Sequence, residues 1–269
     1  KTFLGIEPIG QPGKADGQWA MVVKSSLVTG GQFLWGGAAL AAAVSAMEQL
    51  SGRPCVWATA QYLSDARTNE TMEIDVTLAV VGHQITQARA VGHVGDREIL
   101  TVNAALGERA FEHRATFAKM PDVPMPSEIA SREHRHPVEN TIHERLDERL
   151  VKGRELEDLN GEPNDGRTIM WARIPDVLSD VDAATLAVLG DFVPMAIGQA
   201  LGVRGGGNSL DNTLRIVRLV PTKWVLLDIQ IQGVERGFGH GTMNMYAEDG
   251  TLLATASQRV IARMWREAK

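Results

Sequence analysis

The chain has 269 residues and a net charge of −6, with 44% hydrophobic and 22% charged residues. That suits one large globular domain or two small ones with a full core, and the absence of a basic stripe excludes a nucleic-acid footprint. The single cysteine, Cys55, excludes an intramolecular disulfide and a multi-cysteine zinc site.

The start of the chain carries no signal-peptide pattern, and a reducing, cytoplasmic setting is expected. The first structured stretch runs from Phe33 to Gly107. It opens with a small-residue helix from Gly36 through Val44. Cys55 follows Pro54 in an apolar setting and is expected to be a small buried hydrophobe rather than a nucleophile. Alternation and β-branching predict strands over Met72–Leu78 and Ile99–Val102, with Gly95-Asp96 as the hairpin turn before the last strand.

A polar segment spans about Phe111 to Gly166. It holds Pro121, Pro124, Pro126 and Pro137, then Glu133-His134-Arg135-His136 and the charged run from His143 to Arg149. The expectation is a linker with a solvated face, and an entering strand over Val151–Leu159. The histidines show no i, i+4 pair backed by a glutamate, so no metal site is expected.

The longest apolar run, Ala183 to Val203, is broken by Asp191 and Pro194. It reads as a buried helix rather than a membrane span. The Gly205-Gly206-Gly207 triplet after it reads as a mobile loop. Strands follow over Val225–Ile231 and Leu252–Ala256, with Asp249-Gly250 as the second hairpin turn.

The two halves superpose at an offset of about 153 to 154 positions. Asp75 falls on Asp228, Leu100 on Leu253 and Gly36 on Gly190. That pattern predicts an α+β chain built from a duplicated unit of one helix and an antiparallel sheet.

Familiar catalytic signatures are missing. Gly207-Asn208-Ser209-Leu210-Asp211 lacks the closing glycine of a nucleophile elbow, and no P-loop or dinucleotide fingerprint is present. Asp191 stands out because it sits in the most apolar stretch. A carboxylate there must be solvated, paired or used. It reads either as a cap favoured by a helix dipole or as a functional acid. The duplication bears on the choice. The first half carries Gly37 or Ala38 opposite Asp191, Val56 opposite Ser209 and Ala105 opposite Gln258. One half holds an acid, a hydroxyl and an amide where the other holds nothing reactive.

At these residues the chain resembles the acyl-CoA thioesterase II family of double-hotdog proteins. Phe3-Leu4-Gly5-Ile6-Glu7-Pro8-Ile9 is similar to the family's opening strand. Leu34-Trp35-Gly36-Gly37 is similar to its first helix start, and Met120-Pro121 with the prolines after it to its linker. Met170-Trp171-Ala172-Arg173 resembles a W-x-R strand. Leu189-Gly190-Asp191-Phe192, Asn208-Ser209-Leu210-Asp211, Glu235-Arg236-Gly237 and the final hairpin ending at Gln258 resemble the motifs of the second half.

The resemblance implies a double hotdog divided into residues 1–115, a linker 116–145, and residues 146–269 carrying the site. It implies hydrolysis of an acyl-CoA thioester by water, with Asp191 as base and Ser209 and Gln258 holding the water. No cofactor or metal is expected. The expected partner is the acyl-CoA substrate, without nucleic acid or membrane, in a dimer of double hotdogs. Backbone amides at Gly36-Gly37 are candidates for the oxyanion. Arg204, Arg215 and Arg218 are either contacts for the CoA phosphates or solvated surface charges.

The chain departs from the family pattern at Ala38, where Gln is common, and at Gly202–Gly207, where a P-H-G motif is missing. These departures keep open a non-catalytic acyl-CoA-binding hotdog. A hotdog hydratase or dehydratase needs an Asp and a His on one loop and helix, and from Val188 onward the only histidine is His240.

Overall fold

A computed structural model describes residues 3–132, 140–177 and 180–264. The first half contains β1 (Glu7–Ile9), β2 (Asp16–Val22), α1 (Gly36–Ser51), β3 (Cys55–Tyr62), β4 (Thr71–Val81), β5 (Ile85–Val94) and β6 (Arg97–Gly107). The second contains β7 (Asp147–Lys152), β8 (Arg167–Arg173), α2 (Ala183–Leu189), α3 (Val193–Leu201), β9 (Gly205–Ser209), β10 (Asp211–Ile216), β11 (Val225–Glu235), β12 (Phe238–Ala247) and β13 (Leu252–Met264).

The strands form one antiparallel sheet in the order β1-β2-β4-β5-β6-β3-β10-β13-β12-β11-β8-β7, with β9 added on β13. That order reads alike from both ends, so the sheet is two copies of one topology joined at β3 and β10. The joint lies on the pseudo-axis. Thr59 pairs with Thr213, their hydroxyls are 2.7 Å apart, and they are separated by 154 positions. The duplication read in the sequence is therefore a structural one, and the fold is a double hotdog.

Each copy wraps its sheet around a helix. In α1, Leu40, Val44 and Met47 are fully buried among alanines, and burying each of the three large side chains is worth roughly 1.5–3 kcal/mol. The helix stops at Gly52, which takes the left-handed conformation (φ 65°) that glycine adopts without penalty.

Several expectations need correction. The opening strand begins only at Glu7; residues 3–5 form a turn. The entering strand of the second half is Asp147–Lys152, and Leu156–Asp158 beyond it is a short 3-10 helix. The apolar run Ala183–Leu201 is long and apolar enough to span a membrane by composition, yet most of it is buried in the protein. It is two helices rather than one, with Asp191 in the break. The Gly205–Gly207 triplet is not a loop but strand β9, paired to Ala262, Arg263 and Met264. Glycine is required there because a Cβ on Gly205 would sit 2.7 Å from the Arg263 carbonyl. His240 lies within β12, and the turn before it is Arg236-Gly237, both at positive φ.

The segment between the halves is not simply solvated. Ala118, Met120, Val123 and Ile129 cover Ile169, Trp171, Trp224, Leu226, Tyr246 and Leu252 on the outer face of the second half's sheet. Trp171 Nε1 donates to the Pro124 carbonyl at 2.9 Å, and Tyr246 Oη donates to that of Lys119 at 3.1 Å. The run Glu133–His136 lies outside the described residues.

Candidate functional site

A cavity of about 380 Å³ opens between the two halves. Its walls include Leu34, Trp35, Ala39, Leu63, Ala66 and Ile99 from the first half, and Asp191, Pro194, Ser209 and Ile261 from the second. The first half therefore supplies much of the apolar wall together with Asp65, and the second supplies the buried acid Asp191.

The structure brings Asp191, Ser209 and Gln258 together. Asp191 lies in the break between α2 and α3 and is 5% exposed. Gln258 on β13 is fully buried, and its Nε2 donates to Asp191 Oδ1 at 2.5 Å and to Ser209 Oγ at 3.1 Å. Ser209 ends β9, where its pairing with Val260 fixes the backbone. Gln258 Oε1 is buried with no protein partner. An acceptor left open in this way fits a bound water or substrate group.

The first half enters the site through the start of α1. The Gly37 amide donates to Asp191 Oδ2 at 2.8 Å, so a helix N-terminus does meet this carboxylate. It belongs to the other half, however, for Asp191 does not cap α3, whose N-cap is Phe192. The Gly37 amide, expected as a candidate oxyanion donor, is thus engaged by the carboxylate. Glycine is needed at 37 for a further reason. A Cβ there would lie 2.5 Å from the Ala187 carbonyl oxygen and 2.8 Å from that of Val188, where α2 crosses α1.

Burial raises the Asp191 carboxyl from 3.8 to about 6, against the opposing pull of the Gly37 amide, Gln258, Ser209 and the Gly36 amide. The group is thus ionised near neutrality but far more basic than an ordinary carboxylate, the condition that favours a general base.

Of the structural counterparts, the sheet register puts Ala104 opposite Gln258, since Ala88 pairs with Ala104 as Gly241 pairs with Gln258. This shifts the expected Ala105 by one position and leaves the first half without a reactive group there. Cys55 is buried, and burial first, then the charge of Glu48, pushes its thiol up to about 12. That is the inert behaviour expected of it. Arg204, Arg215 and Arg218 do not line the cavity; Arg263 does, at 3.3 Å from Asn208 Oδ1.

Tyr62, at the end of β3, is a cavity residue that the sequence did not single out. Burial, and then the charge of Asp191, push its hydroxyl well above the usual tyrosine range, so it stays a neutral donor. No motif marks it. Its only signal is its place on the strand that crosses the pseudo-axis. Among the described residues, no group of three or more His, Cys, Asp or Glu side chains is arranged to hold a metal.

The family model of the acyl-CoA thioesterase C-terminal domain matches residues 118–262, more than half of the chain. The chain belongs to the acyl-CoA thioesterase family. A solved candidate thioesterase from Novosphingobium aromaticivorans is 30% identical to this family member, with 94% of this chain and 97% of that one covered and a TM-score of 0.81. Two further structures share the fold at lower identity. One is the acyl-CoA thioesterase II TesB2 of Mycobacterium marinum, at 16% identity over 97% of this chain and 98% of that one, with a TM-score of 0.73. The other is a hotdog-fold protein of Alicyclobacillus acidocaldarius, at 20% identity over 93% and 94%, with a TM-score of 0.82. No curated protein matches the sequence.

Proposed function

We propose that the chain hydrolyses the thioester of a fatty or related acyl-CoA, with Asp191 as general base and Ser209 and Gln258 holding the attacking water. The observation that carries this reading is a buried carboxylate raised to about 6, bonded to a fully buried Gln258 whose Oε1 has no partner. Water bridging Asp191 and the open Gln258 oxygen gives up a proton to the carboxylate as its oxygen bonds to the thioester carbon. The tetrahedral intermediate then collapses. The C–S bond breaks, and the CoA thiolate takes a proton from Asp191 or from solvent. The neutral amide and hydroxyl both donate and accept, so they orient the water through the change in charge.

The apolar cavity wall suits an acyl chain, and Arg263 among its lining residues suits an anionic part of the substrate. The binding-only reading gives no reason to keep a carboxylate ionised at a cost in a buried site. The hydratase reading needs a histidine beside the acid, whereas His240 Nδ1 lies 3.0 Å from the Gln258 backbone carbonyl on the strand. We place the protein in cytoplasmic lipid metabolism, with residues 1–115 and 146–269 as modules, 116–145 as linker, and a dimer of double hotdogs as its assembly.

The test is release of free thiol from acyl-CoAs of short to long chain. Activity in wild type that disappears in Asp191→Asn is expected. Equal activity in both would remove Asp191 from the mechanism, and no release from any acyl-CoA would leave only binding.

A further inference from the structure

Asp191 and the amide that holds its Oδ2 belong to different halves of the chain. The carboxylate is therefore only as well placed as the first turn of α1. That turn is weakly fixed by its own sequence. It begins Gly36-Gly37, the N-cap Trp35 makes no side-chain cap bond, and no acid stands in the first turn. Two successive glycines give the backbone its widest freedom, so something outside the helix must hold it.

Trp35 Nε1 donates to the Val188 carbonyl at 2.9 Å, and two further side chains act beside it. Tyr62 Oη donates to the Gly36 carbonyl at 2.8 Å. Asn212, fully buried on β10, reaches the Gly190 carbonyl through Nδ2 at 3.4 Å. Gly36 and Gly190 are equivalent positions of the duplication. Tyr62 and Asn212 come from the two strands that meet at the pseudo-axis, where Asn212 pairs with Ala60. The space between is full. A Cβ on Gly36 would sit 3.0 Å from Asp191 Oδ2 and 3.1 Å from Tyr62 Oη.

We propose that Tyr62 and Asn212 are positioning residues that fix the carbonyls of Gly36 and Gly190, the residues just before Gly37 and Asp191, and so hold the Gly37 amide on Asp191 Oδ2. The pair has no counterpart by symmetry: the sheet puts Ile216 opposite Tyr62 at offset 154 and Ala58 opposite Asn212. It is an asymmetric device, present where Asp191 is. The other ionisable groups lining the cavity with Asp191 are Asp65 and Arg263, besides Tyr62 itself. His143 packs edge-on against Phe192, the neighbour of Asp191. The pair differs from all of these in acting through backbone rather than through charge.

The proposal rests on the thioesterase reading only for its kinetic arm, so the deciding measurement needs no substrate. Carboxyl-carbon NMR of ¹³C-aspartate-labelled protein follows the titration of Asp191, identified by the signal lost in Asp191→Asn. In Tyr62→Phe the Gly37 bond loosens, and the Asp191 midpoint is expected to move up by roughly half a unit or more. In the thiol-release assay kcat is expected to fall by about 10-fold, the worth of one hydrogen bond, with KM within about twofold. Asn212→Leu is expected to move the midpoint the same way, and it carries the test should Tyr62→Phe fail to fold. A midpoint unchanged in the folded variants overturns the proposal, even if melting temperature falls, because that is what a purely structural role gives. Wild type that releases no thiol from any acyl-CoA overturns the thioesterase reading, while the titration still decides the clamp.

Discussion

Replacing Asp191 by Asn should separate activity from stability in opposite directions. The folded protein holds this carboxyl at about 6 rather than 3.8 because it is buried. A shift of about 2 units means that keeping the group ionised costs about 3 kcal/mol, at about 1.4 kcal/mol per unit. The sign follows from proton binding. The folded state binds its proton more tightly than the unfolded chain, so stability is greatest below 3.8 and falls as pH rises to about 6, then levels off. Asn carries no charge to bury. It can keep accepting from the Gly37 amide, and Gln258 can turn its unpartnered Oε1 to accept from the new Nδ2. At pH 8 the variant should gain up to about 3 kcal/mol, a rise in melting temperature on the order of 5 °C for a chain of this size. At pH 4 most of the gain should vanish. Loss of the base should lower thiol release by about 100- to 10,000-fold. Thermal melts at both pH values and the thiol assay check this. A gain equal at pH 4 and pH 8, or a variant that falls in stability at pH 8, would refute the account of the buried charge. Activity within about tenfold of wild type would refute the assignment of the base.

The wild-type pH profile of kcat/KM should fall on the acid side with a midpoint near 6, as Asp191 takes up its proton. Gln258→Leu removes a donor that favours the carboxylate, so its acid limb should move to higher pH and kcat should drop by about 100-fold. Ser209→Thr should keep most activity and Ser209→Ala should lose it, because the proposed water-holding role needs the hydroxyl rather than the size; steady-state kinetics decides. Gly37→Ala drives a methyl into the carbonyls of Ala187 and Val188. It should cost about 1–3 kcal/mol, visible as a lower midpoint in urea. Cys55 should resist alkylation at pH 8 in the folded protein and react once it is unfolded, because burial holds its thiol near 12; mass spectrometry of the labelled protein reads this directly.

Patterns of period and composition settled much of this protein in advance. Alternating apolar residues marked β4, β6, β11 and β13, because a strand with one buried face must alternate. The offset of about 154 marked the duplication, and Thr59 against Thr213 on the pseudo-axis is its direct expression. Asp191, Ser209 and Gln258 were legible because each is polar where the matching position of the other half carries no reactive group. Other features left no such trace. Glycines usually punctuate loops, so Gly205–Gly207 reads as one; only the approach of β13 shows that a strand with glycine at 205 and 207 is required there. The strap of residues over Trp171 and Tyr246 was hidden, since a proline-rich polar segment does not reveal which apolar face it covers. The helix N-terminus that holds Asp191 is that of α1, about 154 positions away in sequence, which the reading of Asp191 as a cap or a functional acid does not reveal. Tyr62 and Asn212 carry no motif. Their role depends on two strands meeting at the pseudo-axis, and a contact between distant segments is decided by packing, which local sequence does not encode.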